Sequence, residues 1–194
     1  RARLADRGVQ RLERVQVRLG LELVGGRDAF LAAAALGALE GVVETERLNL
    51  ISARAIAATR GIETGVSDLA DAEQLAAIEV TVEGGTSSVS VAGVAPTGAA
   101  PHLTRIEGFR VDVTLRQTLI VLTNADVPGV IGRVGTLLGG AGVNIAEYHQ
   151  ARLQQGGEAL ATISVDDPVG QELRQKLLEL ADIRSATIVT FADA

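Results

Sequence analysis

The order of predicted elements after residue 117 constrains the fold more than any other feature of the sequence. Apolar patterns predict four strands there, at residues 118–123, 143–153, 159–165 and 183–191. Two helices are predicted between them, at residues 128–141 and 168–180. Pro128 and Pro168 stand where the first turn of a helix tolerates a missing N–H, and the glycines at 139, 140 and 142 end the first helix. The predicted order is therefore strand, helix, strand, strand, helix, strand.

This order indicates a ferredoxin-like βαββαβ domain, in which both helices cover one face of an antiparallel sheet. We assign this domain to residues 117–194. Residues 1–116 are predicted to form a separate domain that mixes strands and helices. With 194 residues, 47% of them apolar, the chain can bury two such cores. The predicted fold class is α+β with two domains.

The first domain opens with a helical pattern and a strand. Residues 1–11 have the spacing of the second half of an amphipathic helix, and the sequence starts without Met, which suggests an additional upstream part. Apolar and polar side chains then alternate over 12–24, as in a half-buried strand, until Gly25 and Gly26 end the pattern.

Helices and hairpins fill the rest of this domain. A nearly all-apolar helix is predicted at 29–43, with Asp28 as its cap, and a second helix at 48–60. Four further strands are expected, as a pair around residues 78–83 and 88–91 that turns at Gly84-Gly85, and as two short strands at 103–106 and 109–115.

Composition argues against several classes of function. The chain has no Cys, and its two His residues, His102 and His149, are far apart, so no metal site and no catalytic residue are predicted. A net charge of -6, with one Tyr, three Phe and no Trp, does not suit nucleic acid. We find no apolar run long enough for a membrane span and no secretion signal, so we expect a soluble, cytoplasmic protein.

Polar residues around the first helix of the second domain indicate a site for a small ligand. Asn124 and Asp126 follow a buried strand, and Pro128 and Gly129 lead into a helix whose free N–H groups carry partial positive charge. Asn144 follows that helix. Asp126 can accept from an ammonium group, both Asn side chains can donate and accept, and the amides from Gly129 onward can bind a carboxylate. This set matches a small zwitterion better than a nucleotide.

Simpler structural roles fit the same residues. Asp126 can cap the helix that starts at Pro128, and Asn144 can satisfy the backbone of a turn. Tyr148 and His149 are neighbours on a strand and must face opposite ways, so we assign no chemistry to them.

Three segments, 126–129, 135–138 and 142–145, resemble the ACT domain of D-3-phosphoglycerate dehydrogenases. In that family this region binds the feedback inhibitor L-serine between two subunits. The resemblance implies that Asn124, Asp126 and Asn144 stand at serine-contacting positions, beside the Pro128-Gly129 turn. It also implies homo-oligomers that form through paired ACT domains.

The resemblance continues upstream at residues 34–43, 48–57, 60–61 and 106–108, which look like the intervening allosteric substrate-binding domain of the longer dehydrogenases. That domain can bind phosphorylated anions through basic residues. Arg105, Arg110 and Arg116 are the candidates here, although a solvated strand face is the simpler interpretation of them.

The resemblance implies that NAD binding and catalysis belong to a catalytic domain outside this chain. The glycines of this chain between residues 132 and 142 lie in or after a predicted helix, which is the wrong context for a dinucleotide fingerprint. No cofactor is therefore expected in this chain. Two other functions remain open: an oligomerisation module that binds no ligand, and the regulatory portion of an iron-sulfur L-serine dehydratase. A transcription regulator is a weaker candidate, because no basic helix-turn-helix is visible.

Overall fold

The computed structural model describes residues 4, 11–40, 43, 47–69, 75–95, 98, 100–115 and 118–191. The chain divides into two compact units, Arg3–Pro101 and His102–Ala194. The predicted boundary between 116 and 117 lies outside the described residues, so the division into domains 1–116 and 117–194 stays a prediction.

The first unit contributes four strands and two helices. Its strands are β1 (Arg14–Leu19), β2 (Glu63–Asp68), β3 (Ala77–Gly84) and β4 (Ser87–Val94), and its helices are α1 (Arg27–Leu39) and α2 (Ala53–Thr59). The strands lie in the order β2-β1-β3-β4, with β1 parallel to β2 and antiparallel to β3. Val15, Val17 and Leu19 are buried on one face of β1, which confirms the predicted alternation over this stretch.

The predicted strand over 12–24 is wrong beyond Leu19, because Leu21–Gly26 forms a 3-10 helix. The strand ends where its neighbours end. Leu19 pairs with Asp68, the last residue of β2, and with Ile78, the second residue of β3. After Leu19 the amides of Gly20 and Glu22 still donate to the carbonyl oxygens of Ala77 and Leu75. The amide of Leu23 instead donates to Gly20, which begins the 3-10 turn.

Both helices of the first unit differ from their predicted bounds. Helix α1 begins two residues earlier than predicted, and Asp28 does not cap it; its carboxylate instead accepts from Arg54 at 2.7 Å. Helix α2 begins at Ala53 rather than at residue 48. The side chain of Asn49 accepts hydrogen bonds from the amides of Ile51 and Ser52, which forms a turn that delays the helix.

The second unit combines a hairpin with the predicted ferredoxin-like domain. The hairpin consists of β5 (His102–Ile106) and β6 (Phe109–Thr114), with Glu107 and Gly108 at its turn. The domain consists of β7 (Thr118–Ala125), α3 (Val130–Gly140), β8 (Ile145–Arg152), β9 (Glu158–Val165), α4 (Gln171–Glu179) and β10 (Ile183–Thr190). Its antiparallel sheet has the order β10-β7-β9-β8, so the predicted βαββαβ fold is confirmed.

One apolar core joins both helices of the domain to the same face of its sheet. Ile120 and Leu122 of β7 contact Val134 and Leu138 of α3, together with Leu177 of α4, and all five side chains are fully buried. This packing fixes the position of α3 on the sheet, and therefore the position of the loop between β7 and α3. Among the described residues, no helix is long and apolar enough to cross a membrane.

Candidate functional site

Asp126 follows β7 directly and is held by the turn between β8 and β9. Its Oδ2 accepts from the backbone amide of Gly156 at 3.0 Å and from Nη1 of Arg152 at 3.2 Å. The Gly156 hydrogen bond, followed by that of Arg152, lowers the pKa of Asp126 below its ordinary value. The side chain is only 15% exposed. Asp126 is therefore an ionised, anchored carboxylate, whose Oδ1 can still accept from a ligand.

Asp126 does not cap α3, so the simpler structural role proposed for it is not the one observed. The N-cap residue is Gly129, with φ 89° and ψ -12°, and no side chain caps the helix. A positive φ favours glycine, because a Cβ in this region clashes with the backbone. The first amides of α3 thus have no capping side chain and lack partners within the helix.

A cavity of about 400 Å³ lies beside these groups. Its walls include Asp126, Pro128, Gly129, Gln150, Arg152 and Gly156. It brings together an anchored carboxylate, a guanidinium and the positive end of a helix dipole. This combination can bind a ligand that carries both an ammonium and a carboxylate group.

Asn124 lies outside the walls of this cavity. It shares the helix-facing side of β7 with Ile120 and Leu122 and is 0% exposed. Its Nδ2 donates to the carbonyl oxygen of Ala125 at 2.7 Å, whereas its Oδ1 has no hydrogen-bond partner among the described residues. Asn124 is therefore placed to support the loop that carries Asp126.

Asn144 lies at the opposite end of the sheet. Strands β7 and β8 run in the same direction, so the start of β8 neighbours the start of β7 rather than its end. Strand β7 has eight residues, which at about 3.3 Å per residue separates its ends by roughly 23 Å. Asn144 is exposed, and its side-chain amide donates to Asp166. A single chain therefore brings Asp126, Pro128 and Gly129 together but leaves Asn144 apart.

Sequence reasoning missed Arg152 and Gln150 in the cavity wall. Both side chains come from β8, and their position depends on how β8 pairs with β9: Arg152 lies opposite Ala159, next to the end of β7. The only signal in the sequence was that Arg152 ends a predicted strand before a Gly-Gly turn.

Tyr148 packs against the helix-facing core while His149 is exposed, as their opposite orientation predicts. Burial raises the pKa of Tyr148.

Only part of the candidate anion site lies within the described residues. Arg105 and Arg110 are directly paired across the β5–β6 hairpin, so the structure does bring these two side chains close together. Arg116 lies outside the described residues. The anion site therefore stays a prediction.

The glycines of α3 do not provide the turn that binds a dinucleotide cofactor, and the absence of a cofactor from this chain stays a prediction. Such a cofactor needs a glycine-rich turn between a strand and a helix, whereas Gly132 and Gly135 lie inside α3 and Gly139 and Gly140 form its last residues. The described parts of the chain also hold no group of three His, Asp or Glu side chains arranged for a metal ion.

Comparison with known proteins gives a family for the second unit and relatives for most of the chain. Residues 118–182 match the ACT domain family. D-3-phosphoglycerate dehydrogenase of Archaeoglobus fulgidus is 31% identical over 181 residues, and that of Methanocaldococcus jannaschii is 28% identical over 178 residues. Each alignment covers 92% of this chain and 34% of the relative. The enzyme of Bacillus subtilis is 29% identical over 145 residues, which cover 73% of this chain and 27% of the relative.

The chain thus spans about one third of the length of the curated relatives that it matches. The aligned segment extends well beyond the ACT match and includes most of the first unit, so the similarity is not confined to one widespread domain. Residues 118–182 are an ACT domain, and the chain is related over nine tenths of its length to D-3-phosphoglycerate dehydrogenases.

Proposed function

We propose that this chain is the regulatory part of a D-3-phosphoglycerate dehydrogenase and binds L-serine between two paired ACT domains. The dehydrogenase activity, its NAD cofactor and a cytoplasmic location are proposed for the whole protein. This chain spans about one third of the length of its relatives. The observation that carries the proposal is the position of Asp126 and Asn144 at opposite ends of one sheet, since only a second copy can bring both to one ligand.

Pairing through β8 satisfies this requirement. In the described structure β8 is an edge strand, paired on one side with β9. Edge strands present free N–H and C=O groups that can pair with another chain. If two copies of β8 pair antiparallel about a two-fold axis, the start of one strand lies beside the end of the other. Asn144 of one copy then approaches Arg152 and Asp126 of its partner.

Exposed apolar side chains near the cavity support an interface at this edge. Val127, Ile131 and Leu153 are large apolar residues that remain exposed, and they belong to the loop before α3, to α3 itself and to the turn after β8. Covering such side chains in a dimer removes apolar area from water and stabilises association. Two equivalent sites would result, each built from both copies.

Feedback regulation follows if serine binds one arrangement of the two ACT domains better than another. A ligand shifts a conformational equilibrium only through a difference in its affinity for the two states. A site composed of residues from two copies has this property, because its affinity depends on how the copies are placed. The parts of the enzyme attached to the two copies would respond to that placement.

A complementation experiment tests the shared site. Asp126→Ala and Asn144→Ala variants are co-expressed with different tags, and L-serine binding to the mixed dimer is measured by calorimetry, with glycine and D-serine as controls. Each variant alone should bind weakly. The mixed dimer should regain one intact site of two, because one site collects both substitutions and the other collects neither. A mixed dimer that binds no better than either variant would overturn the shared site.

A ligand-free oligomerisation module is the second candidate, since the polar groups at both ends already have partners within the chain. Asp126 accepts from Arg152 and Gly156, and Asn144 donates to Asp166. This candidate predicts a stable dimer with no calorimetric or thermal-shift response to any amino acid, which is the opposite of the result expected for a serine sensor.

A further inference from the structure

A guanidinium faces the cavity at a position that the predicted ligand set did not include. Arg152 ends β8, lines the cavity and is 57% exposed. Its Nη1 donates to Asp126, while a guanidinium carries five N–H donors in a fixed planar fork. Most of these donors are therefore available to a ligand in the cavity.

The charges around the cavity favour a ligand with no net charge but with two opposite charged groups. Its lining residues include one carboxylate, Asp126, and one guanidinium, Arg152, next to the N-terminus of α3. The nearby cation of Arg133 is already paired with Asp182. A ligand with an extra charge would meet no matching free group in these walls, whereas a zwitterion meets one of each sign.

The cavity wall also contains an acceptor that lacks a donor. The side-chain oxygen of Gln150 is buried, and it has no hydrogen-bond partner among the described residues. A buried acceptor without a donor is costly, and most such groups in proteins find a partner. An N–H or O–H of a bound ligand would supply the missing donor once the Gln150 side chain turns its oxygen toward the cavity.

We propose that Arg152 is the residue that selects ligands with a free α-carboxylate. Its guanidinium and the first amides of α3 receive the carboxylate, Oδ1 of Asp126 receives the ammonium, and Gln150 accepts from the remaining donor of the ligand. The inference rests on the proposed amino-acid site and deepens it, because it states which group of the ligand is read and by which side chain.

The competing role of Arg152 is structural, since its bond to Asp126 also ties the end of β8 to the loop before α3. Loss of a purely structural contact would weaken every ligand of the site by a similar factor. Loss of a carboxylate receptor weakens only ligands that carry the carboxylate. The ratio of affinities for L-serine and L-serinamide, whose carboxylate is replaced by a neutral amide, separates the two roles.

The experiment measures the dissociation constants of L-serine and L-serinamide on the full 194-residue chain, at a pH where both amines are protonated. The wild-type chain should prefer serine by about 10- to 100-fold, the size expected for a hydrogen bond to a charged group. Arg152→Gln should lose that preference and leave serinamide binding within about twofold, and Arg152→Lys should keep part of it.

Arg184→Gln is the matched control. Arg184 is 58% exposed and donates to Glu158 at 2.9 Å, so it resembles Arg152 in exposure and ion pairing but does not line the cavity. It should leave both dissociation constants unchanged. Cooperative urea unfolding checks that each variant is folded. If Arg152→Gln is not folded, the ratio of affinities for serine and serinamide in Arg152→Lys and in the wild-type chain still tests the role of Arg152.

The outcomes distinguish this inference from the proposed function. A wild-type chain that binds neither compound overturns both. A chain that binds serine and serinamide equally well, or an Arg152→Gln variant that weakens both by the same factor, overturns the role of Arg152 and leaves the amino-acid site in place.

Discussion

The two ends of the ACT sheet carry similar groups in different surroundings. At one end the carboxylate of Asp126 accepts from Arg152, and at the other the carboxylate of Asp166 accepts from Asn144. The first pair lies against a cavity and the N-terminus of α3, whereas Asn144 is exposed beyond the C-terminus of that helix. The Asp126 end of the sheet is therefore partly enclosed, and the Asn144 end is open.

The orientation of α3 explains why these two ends differ in chemistry. A helix dipole places partial positive charge at its N-terminus and partial negative charge at its C-terminus. Gly129 lies at the first of these ends, and the exit toward Asn144 lies at the second. A ligand carboxylate is thus favoured at the Asp126 end only. At the other end, near the partial negative charge of the helix, the side-chain amide of Asn144 is neutral. The two ends are complementary rather than equivalent.

The largest expected effect comes from breaking the core that joins the two ends. Leu138 is fully buried between α3 and the sheet, so Leu138→Ala should lower the free energy of unfolding by about 2–5 kcal/mol. Because α3 spans both ends, the amide of Gly156, which donates to Asp126, and the amide of Asp166, which donates to the carbonyl oxygen of Asn144, should lose hydrogen-exchange protection together. Urea unfolding and exchange mass spectrometry measure these two effects.

The exposed residue Thr136 provides the control for this variant. Thr136 is exposed on the same helix and does not line the cavity, so Thr136→Ala should change the free energy of unfolding by only about 0.5 kcal/mol. If Leu138→Ala deprotected one end of the sheet and left the other intact, the two ends would be independent units and the comparison between them would fail.

An intermediate effect is expected from a change confined to the enclosed end. Gly129 has φ 89°, and a Cβ there would lie 2.7 Å from Nη1 of Arg133. Gly129→Ala should therefore cost about 1–2 kcal/mol, mainly from the left-handed backbone, since the Arg133 side chain can move. It should also weaken serine binding at the adjacent amides, as urea unfolding and calorimetry can show.

Gly132→Ala is the matched control for the backbone argument. Gly132 lies one turn further into α3, and a Cβ there would meet no atom within 4 Å. Alanine at a helical position should stabilise the chain by up to about 1 kcal/mol. Equal effects of the two substitutions would contradict the assignment of the strain to the positive φ of Gly129.

The ACT fold could be predicted because most of its boundaries carry their own signals. Pro128 and Gly129 precede α3, glycines follow it, and the strands between have continuous apolar runs. The first unit gave weaker signals. Strand β2 was not predicted from the sequence, because Val66 is its single large apolar residue. In the described sheet order, this strand pairs on one side only, with β1. Its formation depends on a partner that lies far away in the sequence.

The candidate site could be predicted only in part for the same reason. The residue types at Asp126, Gly129 and Asn144 pointed to a zwitterion, but their distances depend on strand direction and pairing. Parallel orientation of β7 and β8 separates Asp126 from Asn144, and the register of β8 on β9 brings in Arg152. Neither relation is encoded in local patterns, so those patterns could not show that Asp126 and Asn144 lie at opposite ends of the sheet.

The smallest expected effect is the pH dependence of the enclosed end. The amide of Gly156, followed by Arg152, lowers the pKa of Asp126, so the folded chain binds this proton less readily than the unfolded chain. The resulting stabilisation is present above the ordinary pKa of an aspartate, about 3.9, and is lost as pH falls through the lower value of the folded state.

Asp126→Asn should accordingly be less stable than wild type at neutral pH, with the difference shrinking in acid. NMR titration of the Asp126 carboxyl carbon, alongside the amide of Gly156, should give one shared midpoint below the ordinary range. A midpoint at or above that range would show that Asp126 is not held by the β8–β9 turn, and the contrast between an enclosed and an open end would lose its electrostatic basis.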